Sequence, residues 1–253
     1  MSDAEDVYGP LPLTGGDPLT GDEVAAAYPW PEARVWVRAM MVTTLDGAAT
    51  GPDGLSGSVS SPADQLVFNA VRRHADAVLI GAGTMRAEQY TPMRAKPADT
   101  AAREAAGQSP APVIVVVSGS LNLPWDLPVW RESACRPLVI TSTHVDAGQR
   151  ELAGEHATVI SLDDITPTAI VEALVERQLT RIVCEGGPRL LHDLVAANLV
   201  DEADITVSPV FAGTATSPPT PALAQVDTFK LAHVLHGDGA LMMRYLAIRR
   251  SAA

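Results

Sequence analysis

The chain has 253 residues, 47% apolar and 19% charged, a composition that suits one α/β domain with a sizeable core. Its formal net charge is −12 and no Lys/Arg cluster occurs, which argues against a nucleic-acid or anionic-membrane partner, since either needs a basic face. No apolar run approaches the ~20 residues that span a bilayer.

The start, MSDAEDVYGP, has neither the basic beginning nor the apolar middle of a signal peptide. Cys135 and Cys184 show no paired-ligand spacing, so a reducing, cytoplasmic setting is expected. Residues 1–33 are rich in Pro, Gly and acid without a sustained period, and are expected to form an extended arm before a single domain over 34–253. The body begins with the strand-like run Arg34–Met41. Ser61-Pro62-Ala63-Asp64 then starts a helix to about His74, with Ser as cap, Pro at the first helical position and acid in the first turn.

Asp76–Ile80 and Pro112–Val117 are continuous apolar runs of the kind that form strands buried on both faces. Pro137–Thr141, Ala157–Ile160 and Arg181–Cys184 repeat the pattern. Thr166–Gln178 and Pro188–Asn198 carry helical periodicity, while 91–112 and 214–225 are Pro/Ala-rich and expected to be loops. Ala203–Val207, Thr228–Leu235 and Leu241–Ile248 are strand-like with no helix between them, and His236-Gly237-Asp238-Gly239 is a hairpin turn by composition. The expected fold is α/β: a mostly parallel central sheet with helices on both faces and an antiparallel C-terminal hairpin.

Three strand ends carry residues suited to holding an anion. Gly81-Ala82-Gly83-Thr84-Met85-Arg86 follows a buried strand and opens a helix, where bare backbone amides, a hydroxyl and a charge converge. A tight glycine turn is the simpler reading of the same residues, since the third glycine of the dinucleotide fingerprint is missing. Glu185-Gly186-Gly187-Pro188 repeats the geometry at a second strand, with Arg189 and Leu190 following. Ser118-Gly119-Ser120 ends a third strand and reads equally as a polar turn. Strand ends of an open parallel sheet face one crevice, so these turns converge on one ligand better than each does alone.

Carboxylates accompany them. Asp46-Gly47 is a turn signal first and a cleft acid second. Asp64 needs no function, because a helix start favours acid. Glu185 is read as a cap, a surface ion pair or a site residue. The chain lacks the P-loop pattern, the Gly-x-Ser-x-Gly elbow and the His-x-Glu with Pro-Cys-x-x-Cys of zinc deaminases; its six histidines show no metal spacing, and no metal is expected.

In order, Thr44-Leu45-Asp46-Gly47, Arg72 with Asp76–Thr84, Glu185-Gly186-Gly187, Leu199-Val200-Asp201-Glu202 and Ser208–Gly213 resemble the riboflavin-biosynthesis pyrimidine reductases. These form the C-terminal reductase domain of the bifunctional deaminase/reductase and share the dihydrofolate reductase fold. The resemblance covers about residues 34–248. It implies NADPH, with Gly81, Gly83, Thr84, the Ser118–Ser120 turn, Gly186, Gly187 and the residues after them as cofactor contacts; Arg86 is added on its charge. It implies substrate contacts at Ser56, Arg72 and Glu185, homodimer formation, and reduction of the ribosyl C1′ of an aminopyrimidine 5′-phosphate. The residues themselves offer Asp46, Asp64 and Glu185 as candidate catalytic carboxylates.

The chain departs from that pattern at three places. Glu88-Gln89-Tyr90 stands where the family usually has Asp-Asp/Asn-Pro, near a phosphate-binding Arg for which Arg94 is the candidate. Ser118 replaces a strand-ending Asp. Asp64 stands where the deaminase-linked enzymes commonly have no acid, and where dihydrofolate reductases hold their pterin with one. Two alternatives therefore stay open: a dihydrofolate or pterin reductase anchored by Asp64, and a non-catalytic nucleotide-binding protein.

Overall fold

The computed structural model describes residues 17–32, 34–88, 90–213 and 221–248. The first part of the expected arm (1–16), Gln89 and most of the second Pro/Ala-rich loop (214–220) lie outside the described residues.

The body strands are β1 (Trp36–Thr43), β2 (Ala77–Gly81), β3 (Val113–Val117), β4 (Leu138–Ser142), β5 (Thr158–Leu162), β6 (Arg181–Cys184) and β7 (Glu202–Val207), all in parallel. β9 (Ala240–Ala247) joins β7 antiparallel, and β8 (Phe229–Gly237) pairs antiparallel with β9. The nine-stranded order is β5-β4-β3-β2-β6-β1-β7-β9-β8. Asp238 and Gly239 close the terminal hairpin with φ of 53° and 78°, a left-handed pair that an Asp-Gly step tolerates at low cost.

Alternation along the strands splits the core in two. Leu79, Val115 and Ile182 face α7 (Pro167–Val175) and α8 (Pro188–Ala196). Val78, Ile80, Ile114 and Val116 face the other side, against α3 (Ala82–Ala87), α5 (Val129–Glu132) and α6 (Ala147–His156). Helices thus cover both faces, as the apolar runs imply. α2 (Pro62–Arg72) is capped by Ser61, whose Oγ accepts from the Asp64 amide at 3.2 Å, and buries Val67 and Val71 beside Met40 and Val183.

Two expectations need correction. The arm is not extended throughout: Thr20 and Glu23 form a reciprocal capping box that starts α1 (Gly21–Ala27), and Val24 and Tyr28 are buried against β1 and β9. A seven-residue helix is too short for periodicity to reveal. The 91–112 segment contains α4 (Pro97–Ala105), an alanine-rich stretch with Pro at its start. Arg103 on α4 is fully buried and donates from Nε and Nη1 to the carbonyls of Arg73, Ala75 and Ser109. α5 and α6 also escaped the periodic reading.

Candidate active site

A cleft of about 1540 Å³ opens at the carboxyl ends of β1, β6, β2 and β3. β1 and β2 are not neighbours, because β6 inserts between them; this brings the turn after β6 against the turn after β2. Gly81 N donates to Gly186 O at 2.8 Å, and a Cβ on Gly81 would lie 3.5 Å from Gly187 N. Gly186 has φ of +90°, a left-handed conformation suited to glycine, and backs onto Met41. A Cβ on Gly187 would stand 2.9 Å from Thr84 Oγ1, so the second glycine is required by close packing of the two turns.

Two helix starts at the cleft follow glycine and keep their first backbone amides free of a side-chain cap. α2, α6 and α7 are capped by the side chains of Ser61, Asp146 and Thr166, whereas α8 begins after Gly187 and α3 after Gly81, with no side-chain cap on either. A Cβ on Gly83 or Gly119 would meet nothing within 4 Å, leaving backbone open at the second and third strand ends. Uncapped amides, open glycine backbone and the exposed Arg86 and Arg189 suit a phosphate-bearing ligand such as a dinucleotide. Ser118 plays another part: its Oγ accepts from Leu121 N at 3.0 Å and shapes the turn, while Gly119 and Ser120 stay exposed.

The opposite wall is α2. Asp64, Phe68 and Arg72 recur at four-residue spacing, so one helical face presents all three to the cleft. Asp64 is only 5% exposed and accepts from Ser60 Oγ. Arg72 lies over the Phe68 ring at 4.1 Å and forms a bidentate pair with Glu185, Nε to Oε1 and Nη2 to Oε2. Tyr90 Oη donates to Glu185 Oε2 at 3.0 Å. Burial alone would lower the Arg72 pKa; the Glu185 carboxylate reverses this and holds it above the usual arginine value. Burial first, and Glu185 second, push the Tyr90 phenol well above the ordinary tyrosine range.

Most residues expected in the site line this cleft: Ser56, Asp64, Arg72, Glu185 and all three glycine turns, except Gly186, which lies behind the wall. Asp46 and Arg94 are not part of it. Asp46 is exposed, accepts from Thr44 Oγ1 and from the amides of Ala212 at 3.2 Å and Gly213 at 2.7 Å, and so latches two loops. The Thr44 hydroxyl is the main reason its pKa is lowered. Arg94 pairs with Glu132 at 3.1 Å, both well exposed. Expectation missed Phe68 and Tyr90 as site residues. The four-residue spacing on α2 signals Phe68; Tyr90 falls in the Glu88-Gln89-Tyr90 departure, but nothing local signals its partner, which lies 95 residues away.

A cleft of this size at the carboxyl ends of a parallel sheet, with glycine turns on one side and a buried ion pair on the other, defines an α/β enzyme. Residues 35–242 match the family described as RibD C-terminal domain, and the chain belongs to it. The 2,5-diamino-6-ribosylamino-4(3H)-pyrimidinone 5′-phosphate reductase of Archaeoglobus fulgidus is 26% identical over 187 residues, 73% of this chain and 85% of its own length. RibD of Synechocystis sp. is 28% identical over 176 residues, 69% of this chain, but the match spans only 45% of that longer protein. A pyrimidine reductase-like protein of Corynebacterium diphtheriae superposes with a TM-score of 0.73 at 26% identity, over 85% of this chain and 93% of its own. The fold is therefore dihydrofolate reductase-like and the chain an oxidoreductase, which sets aside the non-catalytic alternative.

Proposed function

We propose that the chain is an NADPH-dependent reductase acting at the ribosyl C1′ of an aminopyrimidine ribosyl 5′-phosphate. The observation that carries this reading is the pairing, in one cleft, of two uncapped glycine turns with the Arg72–Glu185 pair on the facing wall. The turns after β2 and β6, with Arg86 and Arg189, would hold the dinucleotide phosphates. When bound, a reduced nicotinamide supplies the hydride. α2 and Glu185 orient the sugar end of the substrate. In the substrate, the glycosylamine nitrogen lone pair forms C1′=N⁺ as the C1′–O4′ bond breaks and O4′ takes a proton. Hydride then adds at C1′, and the C=N electron pair returns to nitrogen.

A second reading keeps the same cofactor and a pterin substrate. Asp64 supports it, as a carboxylate buried on the cleft face of α2 and suited to the amino–imino edge of a heterocycle. Loss of NADPH absorbance with each substrate in turn separates the two. Oxidation with the pyrimidine phosphate and none with dihydrofolate carries the first reading; the reverse carries the second. No thermal stabilisation by NADPH would sink both.

A homodimer fits the sheet. Ile205, Val207, Leu241, Met243 and Tyr245 stand half-buried on the face of β7 and β9 opposite the side that α1 and α2 cover, an apolar surface that a second copy would bury. A cytoplasmic setting fits two free cysteines, of which Cys184 is buried with its thiol pushed up to about 12 by desolvation.

A further inference from the structure

We infer that Tyr90 is a positioning residue, which together with Arg72 fixes Glu185 as a hydrogen-bond acceptor aimed at the reacting end of the substrate. The inference rests on the reductase reading above.

Glu185 is 8% exposed and both of its oxygens are engaged from the protein side. Oε1 accepts from Arg72 Nε, and Oε2 accepts from Arg72 Nη2 and from Tyr90 Oη at 3.0 Å. Both lone pairs of Oε2 are engaged by these donors, and Oε1 keeps one acceptor position open to a ligand. Tyr90 is itself held. Its half-buried ring packs on the Ile80–Met85 core cluster, and the Arg72 guanidinium lies 5.6 Å from its centroid. Its phenol stays protonated far above neutral pH, because burial and then the adjacent carboxylate oppose the phenolate. The tyrosine thus supplies the carboxylate with a third donor, beside the two from Arg72.

The consequence is chemical. A carboxylate held by three donors offers a fixed lone pair to the N–H of the C1′=N⁺ group, and its charge stabilises the positive charge that develops as the C1′–O4′ bond breaks. A free glutamate would relax toward solvent and lose that aim. In this arrangement Glu185 acts as an acceptor and electrostatic partner of the substrate.

Two measurements test the inference. With the pyrimidine phosphate, Tyr90→Phe should lower kcat about 10- to 100-fold, with the KM for NADPH within about twofold. Glu185→Gln should lose at least as much, and the double variant no more than Glu185→Gln alone, because both changes remove one device. Tyr90→Phe activity within twofold of the parent, or losses that multiply in the double variant, would overturn it.

The second measurement needs no turnover. Ultraviolet difference titration, with Tyr90→Phe as the blank that isolates Tyr90, should show a phenol silent until unfolding in the parent. In Glu185→Gln it should ionise at lower pH; Glu185→Asp, which withdraws the carboxylate by one methylene, serves if the amide variant does not fold. Superimposable titrations would overturn the coupling. A parent that fails to oxidise NADPH with the pyrimidine would remove the proposed activity and still leave this coupling to be judged.

Discussion

Arg72 and Glu185, 113 residues apart in the chain, form a bidentate ion pair in the cleft, with side-chain exposures of 20% and 3%. Removing one partner leaves the other charge desolvated without compensation. Arg72→Met should therefore lower unfolding free energy by about 3 kcal/mol in urea titrations, near the low end for a broken buried pair because Arg72 keeps some solvent. Arg72→Lys keeps the charge and loses the fork, so it should retain most of the stability while kcat falls at least about tenfold. Equal kcat for parent and Arg72→Lys would show that the bidentate geometry is not used in the reaction.

Asp64 separates the two substrate readings. Asp64→Asn should cut dihydrofolate turnover at least about 100-fold if that turnover exists, and change pyrimidine turnover by less than about threefold. Equal losses with both substrates would remove the carboxylate's special role toward a pterin edge. Its burial makes Asn, which preserves shape, the informative change.

The glycine turns yield a contrast. Gly187→Ala puts a Cβ 2.9 Å from Thr84 Oγ1, so it should lower the melting temperature of the ligand-free protein. Gly83→Ala meets nothing within 4 Å and sits in a helix, where alanine is favoured by about 0.5–1 kcal/mol. It should leave the ligand-free melting temperature unchanged or higher, and weaken NADPH-induced stabilisation if the cofactor passes over that bare backbone. Unaltered NADPH stabilisation in Gly83→Ala would move the cofactor path elsewhere.

Away from the cleft, β1 and β7 bury Arg38, Glu202 and Asp204 beside the partly buried Arg244 of β9, which lies over Tyr28. Glu202 accepts from Trp36 Nε1 at 2.7 Å and Arg244 Nε at 2.7 Å, and pairs with Arg38 at 3.0 Å. Asp204 has no donor among the described residues, and burial, then Glu202, raise its pKa well above the ordinary value. The folded chain thus keeps a proton that the unfolded chain releases near about pH 4. The resulting stability is full below that pH and is lost as pH rises toward the folded pKa, by up to about 1.4 kcal/mol per pH unit. Asp204→Asn should flatten that decline in denaturation series from acid to alkaline pH. Parallel curves for parent and variant would show that Asp204 does not hold the proton.

Asp46 tests the difference between an acid in a motif and an acid in a site. Its bonds to Thr44, Ala212 and Gly213 latch the turn after β1 to the segment after β7. Asp46→Ala should lower the melting temperature measurably and change kcat by less than about threefold. A loss near 100-fold would return Asp46 to the chemistry, since losses of that size accompany removal of a group acting on the transition state.

Local chemistry wrote much of this fold into the chain. Runs such as Val113–Val117 are apolar on both faces and form strands of a parallel sheet, Ser61-Pro62 starts α2, and Asp238-Gly239 turns the terminal hairpin. The two glycine turns were legible too, because only residues without Cβ allow such backbone approach. α1 and α4 were not, being short helices in Pro-rich segments whose order comes from docking Val24 and burying Arg103. The site's second wall depended on the tertiary structure. Sheet order inserts β6 between β1 and β2, and only then do Arg72, Tyr90 and Glu185 meet while Asp46 and Arg94 turn to other partners. Contacts across 95 and 113 residues are set by packing of whole elements, and no local propensity encodes them.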